Sequence, residues 1–393
     1  MYDVIEGEIA MSEVFMMPRK IISGPNVIAE LGQHIQGKGK KALIVTDQMM
    51  VKFGNAAKVE NALKAANVPY VIYDGSNTEP TDIIVDEGLK IYQEEGCDFL
   101  IALGGGSPMD TAKAIAMLTV CPGKLRDYMH TVIDMPVPFI VAIPTTAGTG
   151  SEATKNTIIA DTETNVKMLL GGPSLIPDLA VVDPTFTMTA PPKVTAATGI
   201  DALTHVIEAY TSRKAIPMTD MFALSAIKKI HKNLPICYKD GQNVEARMQM
   251  SVAALEAGIA FTNASVTIVH GMSRPIGALF HIAHGVSNAI LLPACMEFAI
   301  KENTDRFATI GRIMGVADEN TPDEEAAQAF VKEVTRFCKE VGIPTLAELG
   351  VAKEDFFAQL DKMASDALES GSPQNTMRIP TKEDLIEIYK KLY

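Results

Sequence analysis

Four residues in three separate stretches of this chain have the types and spacing to hold a divalent metal ion. Asp201 and His205 stand four apart in GIDALTHVIEAY, one helical turn, so both side chains project from one face. His270 and His284 frame the segment HGMSRPIGALFHIAHG. A carboxylate and three imidazoles suit a first-row divalent ion and leave a coordination position free for a substrate. Imidazole serves Fe, Zn, Ni and Cu alike, so the donors leave the metal's identity open. Taken singly, each histidine is better explained as a hydrogen-bonded polar residue; the joint pattern favours a metal. His34, His130 and His231 lie in polar or amphipathic contexts and read as surface residues.

A second chemical signal lies upstream. FLIALGGGSPMDTAKAIAM reads as a strand, a triple-glycine turn and a helix start. Gly104, Gly105 and Gly106 let backbone approach a ligand closely, and a helix start offers free N–H groups to a pyrophosphate. Ser107 is expected as the N-cap, Pro108 as the first helical residue and Asp110 as a capping-box acid. The alternative is a tight turn with no ligand; PTTAGTGSE, a second Gly/Thr turn directly after a strand, favours the phosphate reading. Asp47 closes the strand ALIVTD, where an acid can bind ribose hydroxyls or simply face solvent. No G-x-G-x-x-G follows that first strand, so the sheet is not an ordinary Rossmann domain.

The elements that must position these residues divide the chain. KKALIVTD, PYVIYDG, DFLIALGGG and PFIVAIPTT read as buried strands, alternating with helical stretches such as VENALKAANV and DIIVDEGLKIYQEEG. That alternation predicts a parallel sheet covered on both faces. DPTFTMTAPPKVTAATG, rich in Pro and Thr, marks a boundary near residue 190, and nearly everything beyond has a helical period. The expectation is an α/β dinucleotide-binding domain over 1–190 and an all-helical metal and substrate domain over 191–393. Within the latter, His270 is placed near the end of one long helical stretch and His284 after a loop containing Pro and Gly. Ligands belong in the cleft between the domains.

Bulk properties exclude several other classes. A net charge of −13, with no Lys/Arg cluster, argues against nucleic-acid binding. Five scattered cysteines without a C-x-x-C pair fit a reducing compartment and argue against a thiolate zinc site. The beginning MYDVIEGEIAMSEV has acids where a signal peptide carries lysines, and SVAALEAGIAFTNASVTIVHGM is interrupted by Glu256 and Asn263. The reading is a cytoplasmic protein with no membrane partner.

From Phe15 to Tyr393 the chain resembles the iron-containing (group III) metal-dependent alcohol dehydrogenases. The resemblance rests on GGGSPMDTAK at 104–113, PTTAGTGSE at 144–152, GIDALTHVIEAY at 199–210 and HGMSRPIGALFHIAHGVSNAILLP at 270–293. It implies a dehydroquinate-synthase-like α/β domain, and Asp201, His205, His270 and His284 as ligands of Fe²⁺ or, in some members, Zn²⁺. It implies NAD(H) contacts from Asp47, Gly105, Gly106, Ser107, Asp110, Thr145, Thr146, Thr149 and Lys167, with Gly104 opening the turn. Asp47 goes with NAD over NADP, and relatives form homodimers or larger homo-oligomers. Three positions depart from the family pattern: Arg274 replaces a histidine four residues after the third ligand, His281 replaces Asp or Asn three before the last, and Glu79 replaces a cofactor-facing Asn.

The implied reaction is reversible hydride transfer between a small primary alcohol and NAD⁺, with the metal as Lewis acid. His281 is a candidate proton relay. Arg274 suits an aldehyde with an anionic tail, such as sulfoacetaldehyde or succinate semialdehyde, unless it pairs with an internal acid. The competing readings are a dehydroquinate-synthase-like or glycerol-dehydrogenase-like enzyme of the same fold, and a non-enzymatic nucleotide- or metal-binding module.

Overall fold

The computed structural model describes residues 13–164 and 166–393. Most of the N-terminal stretch whose acids argue against a signal peptide, residues 1–12, therefore lies outside the described residues. Eight strands precede residue 183: β1 (Lys20–Ser23), β2 (Ala42–Val45), β3 (Tyr70–Tyr73), β4 (Phe99–Gly104), β5 (Ile140–Pro144), β6 (Asn156–Asp161), β7 (Val166–Gly171) and β8 (Leu179–Val182). Six form one sheet in the order β1-β8-β5-β4-β2-β3, and every pairing is parallel. The runs ALIV, FLIALG, IVAIP and LAVV are buried along their whole length, as a parallel sheet packed on both faces requires. Leu43, Val45, Leu100 and Ala102 join a core on one face; Ala42, Ile44, Phe99 and Ile101 join a core on the other. From β2 the chain steps outward to β3, then returns to lay β4 on β2's other side. A crevice opens at such a reversal, beyond the C-terminal ends of β2 and β4.

β6 and β7 make a separate antiparallel pair against the helix Gly106–Leu118. Thr157 Oγ1 donates to the Asp110 carbonyl at 2.8 Å, and Ile158 N donates to the Asp110 carboxylate at 3.2 Å. The capping expectation is corrected here. The helix starts at Gly106 behind Gly105, with no side-chain cap. Asp110 is turned away to the hairpin and to Ser151 Oγ at 3.2 Å, because the hairpin's backbone donors face it.

From Pro192 onward the described residues are helical and surround one large apolar core. The long helical stretch expected to reach His270 is in fact two helices. Val244–Ala264 ends where Ser265 takes φ 67, and the chain bends by 103° into Ile268–Phe280. The loop expected between His270 and His284 is mostly that second helix. Ile268, Val269, Met272 and Ile276 bury fully along one face, and this stripe outweighs Pro275 inside the helix. Only residues 281–283 connect it to the helix His284–Ala299. Among the described residues no single helix is long and apolar enough to cross a membrane; the bent pair passes only when its halves are joined.

The sheet and the helices meet through bare backbone. A Cβ on Gly258 would lie 2.3 Å from the Gly150 carbonyl oxygen, and one on Gly150 would lie 2.6 Å from Gly258 Cα. Gly150 also has φ 62, which disfavours a side chain. Lys155 N donates to Thr262 Oγ1 at 3.1 Å beside this contact.

Candidate metal and dinucleotide site

The helix Pro192–Thr211 carries Asp201, His205 and Glu208 on one face. His270 sits in the first turn of Ile268–Phe280 and His284 begins His284–Ala299. Ligand-type atoms of Asp201, His270 and His284 lie within 4.8 Å of one another. Asp201 Oδ1 is 3.8 Å from His270 Nε2 and 3.7 Å from His284 Nε2. His205 is not in that trio. Its ring stacks between Phe261 at 4.2 Å and His270 at 4.4 Å, and its Nδ1 is buried with no partner. Of the three histidines read as surface residues, only His130 is exposed; His34 and His231 are half-buried, His231 against Glu333 at 2.7 Å.

Two residues at this centre were not singled out from sequence. Glu208, fully buried, accepts a hydrogen bond from His270 Nδ1. Its other oxygen accepts from Thr267 Oγ1 at 2.9 Å and Val269 N at 2.6 Å. Burial alone would raise the Glu208 carboxyl, but attraction to His270 and these hydrogen bonds hold it below its ordinary value. An ionised Glu208 fixes His270 as the Nδ1–H tautomer, leaving the Nε2 lone pair directed at Asp201 and His284. Asn288, one turn after His284, places Nδ2 2.7 Å from Asp201 Oδ1 and 3.1 Å from both His270 Nε2 and His284 Nε2.

These groups fit a divalent ion. Three lone-pair atoms converge on the point Asn288 approaches, and the His205 ring stacks on His270 beside them. Burial would raise Asp201, yet the three imidazoles and the Asn288 amide bring it below the usual carboxylate range. Burial pushes His205 down to about 3, and it also lowers His284, so both rings are neutral as ligation requires.

Arg274 and His281 lie on the same helix as His270 and at its C-terminal cap. Neither enters the Asp201–His270–His284 trio. His281 is exposed in the left-handed conformation at φ 53. Arg274 is exposed, and the surrounding protein lowers its pKa against the opposing pull of Glu208. No acid pairs with it among the described residues. Its charge reaches His284, as does that of Lys167 from the other domain.

The crevice at the sheet reversal is a cavity of about 320 Å³ lined by Asp47, Met49, Asn77, Gly105, Gly106 and Ser107 among others. Asp47 caps the helix Gln48–Lys52, accepting from Met50 N at 3.0 Å through one oxygen. Gly104 has φ 155, and a Cβ there would meet Pro108 at 2.5 Å. Thr145 N donates to the Gly104 carbonyl at 3.0 Å, which lays the second turn beside the first. Thr146 flanks Gly105 and Thr149 flanks Gly106. Lys167 Nζ pairs with Glu79 Oε1 at 2.5 Å. A glycine turn opening on a helix start fits a dinucleotide's pyrophosphate. Behind it, Lys113 is buried and donates to Ser151, Thr154 and Asn156, another role the sequence reading did not assign.

Comparison with known proteins agrees with these features. Residues 18–184 match the family described as iron-containing alcohol dehydrogenase, and 195–393 match the C-terminal part of the Fe-containing alcohol dehydrogenase family. The NAD-dependent methanol dehydrogenase of Bacillus methanolicus is 36% identical over 383 residues, 97% of this chain and 99% of the relative. The crystal structure of a 1,3-propanediol oxidoreductase superposes with a TM-score of 0.94 at 36% identity, covering 97% of this chain and 100% of that one. The sulfoacetaldehyde reductase of Bifidobacterium kashiwanohense, solved with NAD⁺, gives 0.86 at 27% identity, covering 98% and 99%. The chain belongs to the iron-containing alcohol dehydrogenase family, and it is an NAD-dependent enzyme of that kind.

Proposed function

We propose that this enzyme interconverts a small primary alcohol and its aldehyde at a divalent metal held by Asp201, His205, His270 and His284. The observation that carries the reading is the convergence of Asp201, His270 and His284 within 4.8 Å. The bound ion supplies Lewis acidity toward the substrate oxygen, and NAD(H) carries the hydride. Glu208 keeps the His270 lone pair aimed at the centre. Gly104, Gly105, Gly106 and Ser107, with Thr145, Thr146 and Thr149, hold the dinucleotide, and Asp47 takes the ribose hydroxyls. His281, exposed three residues before His284, passes the alcohol proton to solvent. Chelator-stripped protein should lose turnover and regain it with Fe²⁺ or Zn²⁺; full activity in metal-free protein contradicts the reading.

The finer part concerns the substrate's tail. Arg274 follows His270 by one helical turn and has no acidic partner among the described residues, so its guanidinium is available to a carboxylate or sulfonate. A short aldehyde with an anionic tail, such as sulfoacetaldehyde or succinate semialdehyde, satisfies it. The sulfoacetaldehyde reductase among the relatives supports an anionic tail within this fold. Arg274→Ala should lower kcat/KM for anionic aldehydes about tenfold or more, the scale of a charged hydrogen bond, and spare neutral ones. Equal losses for both classes, or no anionic preference in the wild type, count against it.

A further inference from the structure

The cofactor side of the cleft carries an ion pair that the metal chemistry does not use. Lys167 on β7 reaches Glu79 at 2.5 Å, and both side chains are about half exposed, at 49% and 52%. The contact is built by the backbone beneath it. Ala160 N donates to the Pro80 carbonyl at 2.8 Å, Thr81 bridges Ala160, and Ala160 is paired across the hairpin with Lys167. Glu79 and Lys167 therefore meet over Ala160. Glu79 directly follows Asn77 and Thr78, which line the cavity beside Gly105 and Gly106. The pair thus stands at the cavity rim.

We propose that Glu79 is a positioning residue that sets the strength of dinucleotide binding by holding Lys167. A dinucleotide brings two phosphate charges to this cleft, and Lys167 is a cation on its border. In this chain one of that ammonium's donors is committed to Glu79, which also fixes its direction. The dinucleotide must share Lys167 with a carboxylate, so it is held less tightly and leaves sooner. The inference rests on the dinucleotide lying along this cavity.

The test is a titration of the purified, metal-loaded enzyme with NADH, followed by nicotinamide fluorescence at low ionic strength; the chain has no tryptophan to interfere. Glu79→Gln removes the charge and keeps the shape. It should tighten NADH by about two- to fivefold, the range for a half-exposed pair, and the gain should shrink in 0.5 M salt, taken as roughly the high-salt limit. If NADH release limits turnover, the same change lowers KM for NADH and kcat together. Lys167→Gln should weaken NADH, and adding Glu79→Gln to it should give less gain than in the wild type. Unchanged or weaker binding in Glu79→Gln overturns the proposal, as does an equal gain with and without Lys167, which would make Glu79 only a general negative charge. Wild type that binds no NADH would instead remove the dinucleotide reading beneath it.

Discussion

The residue that most shapes the candidate centre is one the sequence reading passed over. Glu208 lies seven after Asp201 and three after His205, on the same helix face, so its position was legible. Its role was not, because a helical glutamate is usually solvated and only its complete burial against His270 marks it otherwise. Glu208→Gln preserves the shape and removes the charge that fixes the His270 tautomer. Competition with a chromophoric chelator should show metal affinity lowered about 10- to 100-fold, the usual cost of losing such a partner. Native affinity in a variant that melts like the wild type would separate Glu208 from the metal. Arg274 shows the opposite balance: its type and spacing were plain, and whether an acid neutralised it depended on side-chain packing.

At the scale of elements, the buried runs of β2, β4 and β5 were readable because a parallel sheet leaves continuous apolar segments. β1, an edge strand with exposed ends, and β8, set between Pro177 and Pro184, do not stand out, and the β6–β7 hairpin lacks a two-residue turn signal. The helix Ile268–Phe280 was hidden by its own Pro275 and glycines. Where the next helix begins, Gly285 does what no larger residue can. A Cβ there would sit 2.6 Å from the Ala197 carbonyl oxygen and 3.4 Å from Asp201 Cβ. Gly285→Ala should push His284 off Asp201, costing about 1–3 kcal/mol as overpacking and weakening metal binding. Thermal melting with and without metal checks this: the variant should gain less from the ion than the wild type does. An equal gain would show that the helix start moves without disturbing His284.

At the scale of the whole molecule, buried charge lies next to the backbone contact between the two halves. Asp110, Lys113 and Glu152 cluster behind the glycine turn, close to the Gly150–Gly258 contact. Burial moves the Asp110 carboxyl up to about 6 and the Glu152 carboxyl up to about 7, and it moves Lys113 down to about 8. With an unfolded value near 4.5, the folded state binds more protons at Glu152 than the unfolded chain between pH 4.5 and about 7. The stability contributed by that protonation is full below 4.5 and is lost as pH rises to about 7. Glu152→Gln does not titrate, so the wild type's melting temperature should fall relative to the variant's across that interval. A constant difference would mean that Glu152 ionises normally.

Gly150 and Gly258 meet with no side chain between them, one on the sheet domain that carries the glycine turn, the other on the helical domain that carries the metal-type ligands. The separation of the two halves is therefore gauged by the thickness of two peptide groups, a dimension no rotamer can adjust. Chemistry that depends on bringing a nicotinamide and a metal-held oxygen to a fixed spacing inherits its tolerance from that contact. Specificity can then drift through positions such as Arg274 and Glu79 while the working distance stays the same.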